Sequence, residues 1–276
     1  MARKEGDTAV FFSSFFWATL ILWSVSVAFE ITANRRTKLS PVVAGFAFFQ
    51  AANWFFYGVS RDPLFVNTTI SLLHSSIMSV SVLVILSNQW MVNGFRSMLE
   101  HGQLFDGTWL GAYTTLCFSC GYFAYDQLDM LRHRLYSGWF PSILAHHLVL
   151  LTCFTLALYR HVTINYLILT LVCELHSVTL HVRKLRRMAG IREARSSSLL
   201  KLEWMLNWAT FFVARLICHI FITYKLIVES GKFGKGVELP LALLGMAGMN
   251  FLNVFLGVDL FKAYKREKGT QSRHLE

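Results

Sequence analysis

The chain has 276 residues, 54% of them hydrophobic, 15% aromatic and only 15% charged, whereas soluble domains carry about 25% charged residues. Repeated uncharged runs of the ~20 residues that a bilayer core asks of each helix exclude a soluble globular domain and point to a polytopic membrane protein. The net charge of +10 suits anionic lipid headgroups, which attract basic residues near the surface by about 1 kcal/mol each, and calls for no nucleic acid.

The first apolar run, 9–29, follows Arg3 and Lys4. It is longer than the ~7–15-residue apolar region of a signal peptide, and AFEIT offers no convincing small-residue cleavage site. It reads as a retained helix. The run 41–60 is also uncharged but carries Gln50, Asn53 and several aromatics, so it reads as an interfacial or re-entrant helix, with a full crossing as the alternative. Six further runs follow: 66–87, 108–128, 139–160, 162–182, 203–227 and 239–261. The expected fold is therefore all-α, a polytopic membrane bundle of about seven spanning helices, six to eight in range. Residues 1–60 form its N-terminal part, 61–265 its main membrane domain and 266–276 a basic tail.

Five cysteines, Cys117, Cys120, Cys153, Cys173 and Cys218, fall in or beside apolar segments. The CFSC stretch at 117–120 has neither a second pair nor a βαβ context, so buried thiols are the better reading. NTT at 67–69 matches a glycosylation acceptor but sits at the expected cytosolic start of a helix.

Orientation follows the Lys/Arg bias. The connection HVRKLRRMAGIREARSSSLLK holds Arg183, Lys184, Arg186, Arg187, Arg192, Arg195 and Lys201, and the tail adds five more basic residues. Seven spans put the segments around Arg35–Lys38 and Arg132–Arg134 on that same, cytosolic side. Ser196–Ser198 beside Arg195 reads as a solvated loop, with phosphorylation as the sharper alternative.

Ionisable groups at membrane depth cost about 2.5–3.5 kcal/mol on insertion scales and mark functional sites by default. His74, His146, His147 and Glu174 each lie seven or eight residues from the cytosolic ends of their helices, roughly 10–13 Å deep at 1.5 Å per residue. Arg215 lies slightly deeper, and Asp126 nearer the surface. Adjacent histidines on a helix point about 100° apart, so one of the pair faces the interior while the other braces a neighbour. Di-iron chemistry needs clustered histidine boxes that are absent from the sequence, and no ligand spacing marks a zinc site. No metal and no resident cofactor are expected.

The segments GYFAYDQLDML, the His146–His147 pair, LVCELHSVTLHVRKL, LNWATFFVARL and MNFLNVFLGVDLFKAY follow one another in an order that resembles the TLC-domain family, over about residues 60–265. The resemblance implies a bundle around a lipid-accessible central cavity with the paired histidines at its wall. Ceramide synthases share the histidine pair, but their motif continues with two aspartates three apart, where this chain has Glu174 and Ser177. The ELHSVTLHVRKL helix and Asp126/Asp129 look more like the subgroup that regulates membrane fluidity. That similarity implies a regulator that limits incorporation of polyunsaturated acyl chains into membrane phospholipids, at the plasma membrane or, alternatively, the endoplasmic reticulum.

Two roles stay open on the residues. In an acyl-transfer enzyme of the ceramide synthase type, His146 or His147 would be the general base and Asp126 its orienting carboxylate, with acyl-CoA as donor. In a non-catalytic regulator, the same cluster holds lipid. In either case His74, Glu174 and Arg215 are the candidate lipid or headgroup ligands, and the partners are membrane phospholipids, their acyl chains and anionic headgroups at the basic loops.

Overall fold

The computed structural model describes residues 2–136, 142–190 and 197–273, and among them every regular element is helical. Arg192, Arg195 and Ser196 lie outside the described residues. The elements are α1 (Ala2–Thr32), α2 (Ser40–Val59), α3 (Pro63–Met98), α4 (His101–Phe105), α5 (Ala112–His133), α6 (Ser142–Arg160), α7 (Ile164–Thr170), α8 (Glu174–Met188), α9 (Ser197–Thr210), α10 (Cys218–Val228) and α11 (Glu238–Arg273). A 3-10 turn, Leu171–Cys173, joins α7 to α8, and a π-helical stretch, Phe211–Ile217, joins α9 to α10.

Among the described residues seven helical segments are long and apolar enough to cross a membrane. Seven lies within the expected range of six to eight, but the membership differs. The segment Thr37–Val59, expected to be interfacial or re-entrant, qualifies, whereas α5 does not. Asp126, Asp129 and Arg132 lower the apolar character of α5. At 22 residues it is nonetheless about 33 Å long at 1.5 Å per residue, enough to cross.

The chain forms two compact units, 1–171 and 172–276. In the first, α5 is the central post, with every residue from 119 to 127 buried; a helix enclosed on all sides needs no single apolar stripe. α2 lies parallel to it, with Gly45 against Gly121, Asn53 bonded to Tyr125 and Tyr57 bonded to His133. A Cβ on Gly121 would run into the Val42 carbonyl and one on Gly45 would lie 2.6 Å from the Phe118 carbonyl oxygen. Only glycine lets these two backbones approach so closely. α3 runs antiparallel to α5, Asn67 meeting Asp126 and His74 meeting Ser119. α6 is also antiparallel, from His147 at Asp126 to His161 stacked on Tyr113 just past its end. α1 follows α6, with Trp23 on Thr155 and Ser26 on Tyr159. Phe49 of α2, fully buried, packs among His74, Phe118, Tyr122 and Tyr125.

This arrangement corrects the expected placement of the basic segments. Arg36, paired with Glu30 at 2.7 Å, reaches the Tyr159 carbonyl and ring at the C-terminal end of α6. Arg134 caps the C-terminal end of α5, beside the start of α6. Arg35–Lys38 and Arg132–Arg134 therefore lie at opposite ends of the first unit. Three long helices, α2, α3 and α5, separate them, where the expected topology counted two crossings.

In the second unit the last turns of α8, the first turns of α9 and the late turns of α11 meet at one basic end. Glu267 accepts from Arg183 at 2.5 Å and from Trp204 Nε1 at 3.1 Å, while Arg186 Nε donates to Glu203 at 2.7 Å. Further along, α10 and α11 run antiparallel, joined by Asn253 to His219 at 2.7 Å and Asn250 to Thr223 at 2.9 Å. Both units expose large apolar side chains, among them Leu22, Trp54, Val84, Phe212 and Val254, as surfaces facing lipid do.

Candidate functional site

The polar residues of the first unit are not scattered. On α3, Asn67, Ser71, His74 and Ser75 recur at helical spacing and are all buried, so one face of an apolar helix is polar. That face meets α5. Asn67 Nδ2 donates to Asp126 Oδ1 at 2.7 Å and to Asp129 Oδ2 at 3.0 Å. From α2, Asn53 Nδ2 donates to the Tyr125 hydroxyl at 2.6 Å and lies 3.3 Å from Asp129 Oδ1. From α6, His147 Nε2 lies 3.4 Å from Asp126 Oδ2. At the rim, His133 Nε2 lies 3.7 Å from Asp129 Oδ1 and 3.1 Å from the Tyr57 hydroxyl.

The two carboxylates sit one turn apart on α5 and share one amide. Asn67, Asp126, Asp129 and His147 are each less than a tenth exposed. Carboxylates leave water only when hydrogen-bonded or paired, and here two amides and two imidazoles do this. A carboxylate facing Nε2 favours the tautomer with its proton there, leaving Nδ1 as the nitrogen with a lone pair. That Nδ1 is buried and has no hydrogen-bond partner among the described residues. The arrangement thus presents a basic nitrogen, oriented from behind by a carboxylate, in a water-poor setting. Such an atom can take a proton or hold a polar ligand group.

The expected site residues separate as follows. His147 and Asp126 come together. His146 is half-buried, its ring centre 5.7 Å from that of His147, so His147 is the inward member of the pair. His74 lies flat against Tyr122, ring centres 3.7 Å apart at 9°, with Nε2 3.0 Å from Ser119 Oγ. It shares a level with His147, since both rings pack against Phe123 at 5.4 and 5.6 Å.

Glu174 and Arg215 belong to the second unit. Glu174 is buried at the start of α8. Arg215 lies in the π-helical stretch, a feature that often marks a functional position in a helix. Its Nε donates to His176 Nδ1 at 3.1 Å and one terminal nitrogen donates to Ser177 Oγ at 2.8 Å. The same nitrogen reaches 3.5 Å toward the Cys173 carbonyl at the 3-10 turn.

Asn53, Asn67 and Tyr125 were not singled out from sequence as site residues. The usable signal was the polar face Asn67–Ser71–His74–Ser75 on an apolar helix. The NTT stretch is part of that face: the Asn67 amide is buried and engaged. All five cysteines are free.

A family model described as the TLC domain matches residues 64–262. TLC domain-containing protein 2 of Danio rerio is 26% identical over 228 residues, 78% of this chain and 85% of that protein. TLC domain-containing protein 1 of Mus musculus is 26% identical over 202 residues, 71% of this chain and 76% of that protein. TLC domain-containing protein 2 of Mus musculus is 31% identical over 184 residues, 66% of this chain and 54% of that protein. No solved structure matches. With the match running through most of the bundle and both polar sites, the chain is a multi-pass membrane protein with a lipid-related role, and it belongs to the TLC-domain family.

Proposed function

We propose that this protein regulates the acyl composition of membrane phospholipids, limiting the incorporation of polyunsaturated chains and so keeping the membrane ordered. The observation that carries the reading is the His147–Asp126 pair, 3.4 Å apart and buried in the first unit of a TLC-domain chain. An ionisable pair of this kind is expensive at membrane depth, and four helices supply residues that sustain it. In this reading the pair meets a lipid's polar group where a cavity admits it from the bilayer. His74 is a headgroup ligand in the first unit, Arg215 and Glu174 are headgroup ligands in the second, and the protein works at the plasma membrane or the endoplasmic reticulum.

The same pair favours one second reading, acyl transfer from acyl-CoA. His147 Nδ1 would take the proton of a hydroxyl or amine as that group attacks the thioester carbonyl. The C–S bond then breaks and the departing thiolate receives the proton. General-base assistance of this sort is typically worth about 10²–10⁴-fold.

The test is lipidomics of cells that lack the protein and are given back wild type, His147→Ala, Asp126→Asn or His146→Ala. Loss should raise the ratio of polyunsaturated to saturated and monounsaturated chains in phosphatidylethanolamine, with a more fluid membrane by a polarity-sensitive dye. Wild type and His146→Ala should restore both readouts, and the other two variants should not, at equal protein level. Full restoration by His147→Ala refutes the proposal. A change confined to ceramide chain lengths would transfer the protein to the ceramide synthase type of activity.

A further inference from the structure

We propose that the basic end of the second unit holds a binding pocket for the phosphate-bearing headgroup of an anionic phospholipid. A cavity of about 710 Å³ opens between α8 and α11, within the range of pockets that take a small ligand. Its outer wall carries Arg183 and Arg187 from α8 and Lys262, Lys265 and Arg266 from α11, against a single lining carboxylate, Asp259. Away from the basic end, Leu180, Leu256 and Leu260 line it, with Asp259 at their level on α11. Both helices belong to segments long and apolar enough to cross a membrane, Ile164–Met188 and Glu238–Lys268, and the cavity lies toward the basic end of each. The pocket is therefore graded along the helices, cationic toward their basic end and mostly apolar away from it, as a phospholipid is graded from phosphate to acyl chain.

The arginines of the wall are pre-positioned. Arg183 is buried, donates to Glu267 at 2.5 Å and has its guanidinium 4.2 Å from the Trp204 ring centre. Arg187 Nε lies 3.9 Å from the same carboxylate. The lysines differ: both are exposed, and the Lys265 ammonium lies 4.7 Å from the centre of the Phe261 ring, a contact a phosphate can replace. Two held arginines and two rim lysines would close around one phosphate group. The cluster stands apart from the His147–Asp126 pair in chemistry and in residues, so either assignment can fail while the other survives.

The experiment uses the full chain in phosphatidylcholine nanodiscs doped with dioleoylphosphatidylserine, with lipid retention followed by native mass spectrometry. The double variant Lys262→Gln/Lys265→Gln should weaken phosphatidylserine retention about thirtyfold, from about 1 kcal/mol for each basic residue at the surface. The charge-keeping double variant Lys262→Arg/Lys265→Arg should retain it, which separates charge from folding. Lys232→Gln/Lys235→Gln, which removes two charges elsewhere in the unit, should have no effect. Equal losses in the two glutamine variants would mean diffuse surface charge and overturn the pocket. Unchanged retention in Lys262→Gln/Lys265→Gln would overturn it as well. Coenzyme A and inorganic phosphate are added as competitors; displacement of the bound lipid by micromolar coenzyme A would assign the cations to a soluble phosphate carrier and overturn the lipid assignment.

Discussion

Replacing Asn67 by Leu tests the polar junction of α3 and α5 most directly. The branching and heavy-atom count of the side chain are kept, so no cavity forms, but two hydrogen bonds of 2.7 and 3.0 Å to Asp126 and Asp129 are lost. Bonds to charged groups are worth about 1.5–3 kcal/mol each. The carboxylates keep Asn53, His133 and His147 nearby, so the lower figure for each applies, about 3 kcal/mol in all. At roughly 2–4 °C per kcal/mol for a domain of 150–250 residues, the midpoint of thermal unfolding in detergent should fall by about 6–12 °C. Asn207→Leu is the comparator. Asn207 is equally buried but donates to the carbonyl of Glu203 on its own helix, so its loss should cost about 1 kcal/mol. Adding Asp129→Asn to Asn67→Leu should recover part of the drop, because a neutral amide there tolerates the missing donor. A midpoint for Asn67→Leu within 2 °C of wild type, or a drop no larger than that of Asn207→Leu, would refute the shared-amide account.

Gly121→Val should abolish the folded protein, measured as the monodisperse fraction after solubilisation, because the added atoms meet the α2 backbone; Gly58→Ala and Gly248→Ala, with open space at the Cβ position, should leave that fraction unchanged. In a background without native cysteines, Lys38→Cys and Arg134→Cys should be labelled by an impermeant maleimide from opposite sides of sealed vesicles, and labelling from one side would sink the three-crossing arrangement of α2, α3 and α5. Cysteines at residues 190 and 268 should be labelled from the same side as each other, since the ends of α8 and α11 meet. Arg215→Met should lower the unfolding midpoint by about 2–12 °C, from 1–3 kcal/mol for the stranded His176 and Ser177 groups, and Arg215→Lys should recover only part, lacking the fork that reaches both.

The class of the fold was legible because lipid asks for long apolar runs and nothing in the chain obscures them. The order of segments also disclosed the family. At 41–60 length and apolarity suit the crossing alternative, which the sequence left open because aromatics suit both the interface and the lipid-facing side of a crossing helix. Trp54 and Phe55 turn outward while Asn53, their neighbour, turns in to Tyr125 and Asp129. Misplacing that one helix also misplaced Arg35–Lys38. The role of Asp126 beside the histidine pair could be guessed. The inward turn of His147 could not, because it depends on where α6 meets α5. Nor could the two asparagines be paired with their carboxylates, since 59 to 76 residues of chain separate them and no periodicity spans such a gap.

The enclosure of α5 has a consequence for how the protein is made. A segment bearing Asp126, Asp129 and Arg132 partitions poorly into lipid when it leaves the translocon alone, since each such charge carries a penalty there. Its partners, the amides of Asn53 and Asn67, arrive earlier in synthesis, on α2 and α3. The chain therefore emerges in an order that has the donors waiting when the acceptors appear, and α5 can be received by protein instead of lipid. His147 follows on α6 and closes the set. Damage to α2 or α3 should thus act during biogenesis, leaving an unsheltered polar helix for the quality-control machinery to extract, and variants there should lower abundance before they alter any activity of the mature protein.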